Sequence, residues 1–316
     1  MSDDAVTNLN DAVIPFRIEN AAVRGEITRL KHSINEVLKD HNYPKPVAKL
    51  VAKAVALTSL LGSSIKFNGR LIVQTQTSGP VSMLVVDYHA DGEQKTDGKF
   101  RASARFDADK ISELEKTDDA SLLGEGQMII TIDQGKNMQE YQGIVALDNI
   151  SLEAAAGLYF GQSEQTLTEI RLAAEFDEDE ATWNAGGLMI QSIAAEGGSN
   201  ADKSEAELKD AQLSDWENAR ALLKTVKDFE LISNSTDSQS LLFQLFHEKG
   251  VRCYVEQPLQ AFCQCSPERI EDMLSQFSQE ERVEMATENP KKPGFIQVGC
   301  DFCGKEYEFT AEHFAQ

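Results

Sequence analysis

All five cysteines of this chain lie within its last 64 residues. Four of them form two close pairs, a Cys-x-Cys made by Cys263 and Cys265 and a Cys-x-x-Cys made by Cys300 and Cys303, with 34 residues between the pairs. A Cys-x-x-Cys taken alone is compatible with half of a metal site, with a redox-active dithiol or with a structural disulfide. Four thiols in two pairs can complete one tetrahedral site. The C-terminal region is therefore constrained to fold around its thiols.

The residues around the second pair favour a metal site. Phe295–Val298 and Lys305–Phe309 are predicted to form two strands, with the second cysteine pair at the turn between them. Gly304 follows the last thiol, where a residue that tolerates a positive φ lets the backbone curl around a metal. A thioredoxin-like dithiol would begin a helix after a strand in a βαβ unit, and the sequence lacks that context. We therefore predict one Zn²⁺ per chain, with the ligands Cys263, Cys265, Cys300 and Cys303.

The cysteine spacing leaves the role of the zinc open. Structural zinc can hold together a region that is too small to fold alone. Zinc can also keep the sulfurs as thiolates, which peroxide attacks, and their oxidation then removes both the metal and the folding energy that it supplies. A structural role and a switching role are both compatible with these residues.

Composition and charge narrow the class of protein. Of the 316 residues, 41% are hydrophobic and 26% are charged, which is typical of a globular chain with one or two domains. The formal net charge of −22 argues against nucleic acid or an anionic membrane as the partner. The N-terminal MSDDAVTNLN is acidic where a secretory signal is basic, and no stretch approaches the roughly 18 consecutive apolar residues of a membrane span. We predict a cytoplasmic protein, in which thiols stay reduced.

The N-terminal half combines helical and strand periodicity. Apolar residues at helical spacing predict one helix over Asn20–Asn42 and a second from Pro46 to Gly62. Leu71–Thr77 and Val81–Asp87 then flank a Ser-Gly-Pro turn and predict an antiparallel hairpin. Further strands are predicted at Met128–Ile132, Tyr141–Leu147 and Gly187–Ile193, with a helix capped by Ser151. Strands grouped between helices, without regular alternation, indicate an α+β domain with an antiparallel sheet.

A polar, turn-rich stretch after Glu196 precedes two predicted helices. Their apolar residues are Trp216, Ala219, Leu222, Leu223, Val226 and Phe229 in the first, and Leu241, Leu242, Leu245 and Phe246 in the second. These helices either form a linker that covers its apolar stripe on another surface or belong permanently to the core, and periodicity does not distinguish the two. We predict a core domain at 1–196, a helical linker at 197–245 and a small C-terminal Cys₄ zinc module at 246–316.

Several separated stretches of the sequence resemble those of one known family. In chain order they are ENAAVRGEI, YPKPV, YFGQSEQ, AGGLMIQ, LFHEKGV, FCQCSPERI and GCDFCGKEYEF. Together they resemble the bacterial 33-kilodalton chaperonins over nearly the whole chain. The resemblance implies a redox-regulated, ATP-independent holdase that is a zinc-bound, inactive monomer when it is reduced. Under oxidative stress such a protein binds unfolding client proteins, and it tends to dimerise when activated.

The same resemblance implies what oxidation does to the cysteines. Disulfides are expected between Cys263 and Cys265 and between Cys300 and Cys303, with release of zinc. The zinc module and the linker are then expected to lose structure, which frees the apolar surface that the linker covers. Cys253 lies outside this motif and receives no role from it.

Two other functions are compatible with the residues. A thiol-disulfide oxidoreductase would turn over disulfide substrates with one cysteine of low pKa and without stoichiometric zinc. A constitutive zinc-stabilised binding protein would keep its zinc and act in either redox state. His247 and His313 flank the cysteine region, but four thiolates already complete a tetrahedron. No acid/base pair or phosphate-binding motif stands out, so we predict that the chain is not an enzyme.

Overall fold

The computed structural model describes residues 11–65, 67–90, 97–134, 140–193, 205–233, 235–290, 292–310 and 313. Within them the strands are β1 (Ala12–Ile18), β2 (Val23–Leu30), β3 (Gly69–Thr77), β4 (Val81–Ala90), β5 (Gly98–Phe106), β6 (Glu125–Asp133), β7 (Tyr141–Asp148), β8 (Thr168–Asp177), β9 (Thr182–Ser192), β10 (Val251–Cys253), β11 (Gln257–Ala261), β12 (Phe295–Gly299) and β13 (Glu306–Thr310). The α-helices are α1 (His32–Leu38), α2 (Lys45–Ser64), α3 (Ala108–Ser112), α4 (Asp119–Leu123), α5 (Leu152–Tyr159), α6 (Glu205–Thr225), α7 (Asp228–Ile232), α8 (Ser238–Phe246), α9 (Pro267–Leu274) and α10 (Gln279–Thr287). Phe160–Glu164 continues α5 as a π-helix.

One large sheet organises the molecule. Its strands follow the order β7-β6-β3-β4-β5-β11-β1-β2-β9-β8, and β10 adds to β1. Every pairing in this sheet is antiparallel except that of β11 with β5. Strands β12 and β13 form a separate antiparallel hairpin. The predicted α+β class with an antiparallel sheet is confirmed.

Helix α2 is the centre of the main core. Pro44 occupies its N-cap position and Pro46 lies in its first turn, where the missing N–H group costs nothing. By length and composition α2 is apolar enough to cross a membrane, but 78% of the qualifying stretch is buried inside the fold. The helix packs between the sheet and α5. The predicted second helix is confirmed, and it extends past Gly62 to Ser64.

The predicted helix over Asn20–Asn42 is wrong. Val23–Leu30 forms strand β2, between β1 and β9, and only His32–Leu38 of that range is helical. Both faces of β2 are buried, with Val23 and Ile27 in one apolar cluster and Leu30 in another. Apolar residues on the two opposite faces of β2 therefore have, taken together, the spacing expected for one face of a helix.

The predicted strands in the middle of the chain are confirmed. The hairpin of β3 and β4 pairs Val73 with Val86. Strands β6 and β7 contain two of the other predicted strands, and β9 covers the third except for Ile193. The side chain of Ser151 caps α5 by accepting a hydrogen bond from the Ala154 N–H at 3.3 Å. Strands β1, β5, β8, β10 and β11 were missed.

Helices α6, α7 and α8 cover the face of β1, β2, β8 and β9 that points away from α2, forming a second apolar cluster. Its buried members from the sheet are Ile14, Phe16, Ile18, Val23, Ile27, Ala173, Leu188 and Ile190. Those from the helices and from the turn between α6 and α7 are Trp216, Ala219, Leu223, Val226, Leu231, Ile232, Leu241, Leu242 and Phe246. Leu222 and Phe229 were predicted on the buried face, but they are 40% and 59% exposed. The start of the predicted linker, 197–204, lies outside the described residues. After α8, strands β10 and β11 return to the large sheet, and the division into three regions stays a prediction.

The last part of the chain has a small core of its own. Helices α9 and α10 pack against the β12–β13 hairpin, and the buried apolar side chains are Ile270, Leu274, Ala286, Ile296 and Phe309. This unit, residues 262–310, is called the C-terminal module below. It carries the four paired cysteines.

Candidate metal centre

Cys263 and Cys265 are positioned by the large sheet and by the start of α9. Strand β11 pairs with β5, and directly after it the N–H of Phe262 donates to the carbonyl of Phe100 at 2.8 Å. Behind the pair, Ser266 caps α9 by accepting a hydrogen bond from the Arg269 N–H at 3.3 Å. The first thiol pair therefore occupies a short loop that is fixed at both ends.

Cys300 and Cys303 occupy the turn of the β12–β13 hairpin, as predicted. The N–H of Cys300 donates to the carbonyl of Lys305 at 3.0 Å, and the N–H of Gly304 donates to the carbonyl of Cys300 at 2.9 Å. Gly304 has a φ of +69°, a left-handed conformation that favours glycine. A Cβ atom at this position would also collide with the Asp40 carbonyl at the end of α1. The turn therefore needs a glycine for both its conformation and its packing.

The fold brings the two thiol pairs together. All four Sγ atoms lie within 4.8 Å of one another. Individual separations are 3.3 Å for Cys263–Cys265, 3.3 Å for Cys265–Cys303 and 3.6 Å for Cys263–Cys300. A tetrahedral zinc with Zn–S bonds of about 2.3 Å requires S···S distances of about 3.8 Å. The four half-buried thiols therefore fit one tetrahedral metal ion, and a group of this kind can hold one.

Tyr307 is a member of the site that the sequence reasoning missed. Its hydroxyl donates to the Sγ atom of Cys265 at 3.2 Å. Burial raises the pKa of the Cys265 thiol, but the hydrogen bonds from Tyr307 and the neighbouring thiols outweigh burial and bring the pKa to about 7. For Cys303, burial is the main cause of a raised pKa. Strand alternation offers the signal that could have found Tyr307, because it shares the inward face of β13 with buried Phe309.

Comparison with known proteins assigns the chain to a family. A family model described as Hsp33 protein matches residues 11–310. The chain belongs to the Hsp33 family. A 33 kDa chaperonin of Caulobacter vibrioides is 42% identical over 306 residues, covering 95% of each chain. One from Proteus mirabilis is 34% identical over 304 residues, covering 96% of this chain and 94% of the other. These Hsp33 relatives are named as chaperonins.

The same fold is found in a solved Hsp33 structure. The crystal structure of the 33 kDa chaperonin from Thermotoga maritima, a heat shock protein 33 homologue, superposes with a TM-score of 0.73. The match covers 96% of this chain and 97% of that chain at 18% sequence identity. At this identity the likeness shows the fold. The resemblance seen in the sequence to the 33-kilodalton chaperonin family is confirmed.

In this Hsp33-family chain the cysteine hairpin docks onto the outer face of the large sheet. Phe302 lies between the two cysteines of the hairpin in the sequence. The Arg101 guanidinium is 4.0 Å from the centre of the Phe302 ring. Arg101 is fixed by buried Asp87, which accepts a hydrogen bond from its Nε at 2.8 Å. An exposed ion pair joins Arg105 to Asp301 at 3.3 Å. A partly open pocket of about 210 Å³ lies between α1, β5 and the thiols.

The remaining sequence candidates lie outside the thiol cluster. His247 packs beside Phe243 at the end of α8, and His313 contacts Glu271 at 3.0 Å. Neither belongs to the group of possible metal ligands among the described residues. Cys253 lies on β10 opposite Phe16, and burial raises the pKa of its thiol. The four cysteines were thus grouped correctly from the sequence, while their role as metal ligands stays a prediction.

Proposed function

We propose that this chain is an ATP-independent holdase whose activity is controlled by the redox state of Cys263, Cys265, Cys300 and Cys303. The observation that carries the proposal is the gathering of these four thiols within 4.8 Å in a module that contacts the core domain. Reduced protein holds one Zn²⁺ and is inactive. Oxidised protein has lost the metal and binds unfolding proteins.

The donor set supports zinc in preference to other metals. Four thiolates are the usual ligands of a structural, tetrahedral Zn²⁺. The described part of the C-terminal module buries only five apolar side chains in its core, which is little support for a separate folding unit. Metal binding therefore supplies folding free energy to this module.

Oxidation removes the ligands. For each thiol pair, hydrogen peroxide accepts two electrons and two protons, one S–S bond forms, and two molecules of water are produced. From the family resemblance we propose the pairs Cys263–Cys265 and Cys300–Cys303. Cys265 lies 3.3 Å from both Cys263 and Cys303, so the separations alone select neither partner. A disulfide sulfur does not replace a thiolate as a zinc ligand, and the module loses the metal that stabilises it.

The linker helices cover the surface of the sheet that activation exposes. On the sheet, they cover the apolar side chains of Ile14, Phe16, Ile18, Val23, Ile27, Leu188 and Ile190. A contiguous apolar patch of this kind is typical of a protein-binding site. The net charge of −22 keeps a complex with an unfolded client in solution. We propose unfolded or partly folded proteins as partners, not nucleic acid or membranes, for a cytoplasmic protein that is monomeric when reduced and dimeric when active.

Light scattering from a chemically unfolded client tests the proposal. The client is diluted into reduced, zinc-loaded protein or into protein treated with peroxide at elevated temperature. We expect only the oxidised sample to suppress aggregation, together with loss of one zinc per chain. Cys253→Ser should behave like the natural chain, whereas Cys300→Ser should bind little zinc and lose the difference between the two samples.

Other outcomes would support the alternatives. Equal suppression by both samples, with zinc retained, would favour a constitutive zinc-stabilised binding protein. Turnover of a disulfide substrate without stoichiometric zinc would favour a thiol-disulfide oxidoreductase. Either result contradicts the redox-switched holdase.

A further inference from the structure

A buried arginine of the core sheet contacts the linker. Arg29 lies on β2 and is 1% exposed. Its guanidinium donates to the carbonyl of Leu231 at 3.0 Å, to that of Glu230 at 2.7 Å and to that of Thr236. All three acceptors are main-chain groups of the linker. The core sheet therefore supplies the donors of this contact, and the nearby Asp237 carboxylate of the linker also attracts the guanidinium.

The contact occurs at the carboxyl end of α7. The last carbonyls of a helix have no partners within the helix, and a positive charge is favourable there. Helix α7, Asp228–Ile232, has no basic residue in its last turn. Arg29 supplies both the missing donors and the missing charge. The core sheet thus caps a helix of the linker.

The sheet is also shaped for this helix end. Gly186 on β9 pairs directly with Arg29 and lies on the same face of the sheet. A Cβ atom at Gly186 would lie 2.5 Å from the carbonyl oxygen of Leu231. The glycine therefore allows that carbonyl to approach the sheet closely enough to reach the guanidinium.

The other polar contacts between linker and sheet are less buried than that of Arg29. Gln212 donates to the Ser192 hydroxyl at 3.2 Å and to the Ile193 carbonyl at 2.7 Å in a half-buried contact. Arg171 pairs with Asp228 at 2.8 Å, and Arg220 pairs with Glu169 at 2.8 Å. Both ion pairs keep substantial contact with solvent, and ion pairs of this kind contribute little to stability. Apolar packing supplies most of the attraction between the linker and the sheet, but it does not fix the position of α7. The three hydrogen bonds from the buried Arg29 guanidinium fix that position.

We propose that Arg29 is the positioning residue that holds the linker on the core sheet in the resting state and sets how readily the linker is released. The inference rests on the proposed function, in which release of the linker exposes the client-binding surface. Without Arg29, the buried carbonyl of Leu231 and the partly buried carbonyls of Glu230 and Thr236 lose this donor, and the linker opens more often. Release then needs less stress after oxidation.

Hydrogen exchange on the full-length, reduced and zinc-loaded protein tests this inference. In Arg29→Met we expect amides of α6, α7 and α8 to exchange roughly ten- to a hundredfold faster than in the natural chain, with α2 and β3 unchanged. Arg29→Lys should be intermediate, because one ammonium group reaches fewer carbonyls. Arg171→Met, which removes an exposed arginine contact to the same helix, should stay close to the natural chain.

Gly186→Ala provides an independent variant that leaves Arg29 in place. Its added methyl group displaces the Leu231 carbonyl, so the linker should again exchange faster. Unchanged linker exchange in both Arg29→Met and Gly186→Ala, or an equal loss of protection throughout the sheet, would overturn the inference. Exchange is measured without a client, so it is independent of holdase activity. A lack of holdase activity in the oxidised natural chain would refute the proposed function and not the role of Arg29 in holding the linker.

Discussion

Glu26 makes the stability of this protein depend on pH in a way that one substitution can remove. The side chain lies on β2, is 4% exposed, and its Oε2 atom has no hydrogen-bond partner among the described residues. Burial raises the pKa of this carboxyl group from 4.5 to about 7, and Arg24 only partly opposes the shift. A shift of this size corresponds to about 3 kcal/mol.

The sign follows from proton binding. Between pH 4.5 and pH 7 the native state keeps a proton on Glu26 that the unfolded state has lost. The stability that the raised pKa of Glu26 contributes is therefore fully present below pH 4.5 and is lost as the pH rises through about 7. Glu26→Gln stays neutral at every pH. The unfolding free energy of the variant minus that of the natural chain should therefore increase by about 3 kcal/mol as the pH is raised from 4.5 to 8.

Urea unfolding at a series of pH values measures this difference. The fluorescence of Trp183 reports on the core when both proteins also carry Trp216→Phe, which removes the linker tryptophan. Effects of pH on zinc binding are shared by both proteins and cancel in the difference. Glu175→Gln, at an exposed position of β8 in the same sheet, serves as the matched control. If the difference between Glu26→Gln and the natural chain were the same at pH 5 and pH 8, the reasoning would be refuted.

Three further substitutions test other parts of the structure. Lys53→Met removes the cation that buried Asp119 and half-buried Glu153 contact at 2.6 and 3.1 Å, and it should lower the unfolding free energy by about 3 kcal/mol. Lys49→Met, on the exposed side of the same helix, should change the unfolding free energy by less than about 0.5 kcal/mol. Phe302→Leu removes the ring that faces Arg101, so modification of the reduced cysteines by a thiol reagent should be about fivefold faster; an unchanged rate would show that docking does not depend on this contact. Asp11→Ala removes a carboxylate that accepts hydrogen bonds from three N–H groups at the start of α1, and it should lower the unfolding free energy measured in urea by about 1–2 kcal/mol. Asp11→Asn keeps an acceptor oxygen and should lose only a small part of that free energy.

Local signals predicted much of the fold because some elements depend mainly on near neighbours. Helix α2 has a proline start and a continuous apolar face, and β3 and β4 alternate around a tight turn. The cysteine hairpin was predicted for the same reason, since two short strands and Gly304 specify its turn. Each of these elements has its pattern within about 20 residues.

Elements that contact two layers could not be predicted in this way. Strand β2 lies between the main core and the linker helices, so both of its faces are buried and its alternation disappears. Phe229 has helical spacing with buried neighbours, yet it is exposed because the chain turns between α6 and α7. Burial on a second face depends on residues far away in sequence.

The α+β class and the grouping of four cysteines into one candidate site were predictable from the sequence, because both depend on residue types at fixed spacing. The family was indicated by the resemblance of several separated stretches. The contacts of Tyr307 with Cys265, of Phe302 with Arg101 and of Arg29 with the end of α7 are visible in the tertiary structure alone. Arg29 and Leu231 are 202 positions apart in the chain. Such contacts arise from the packing of the whole sheet, and no local pattern of residues encodes them.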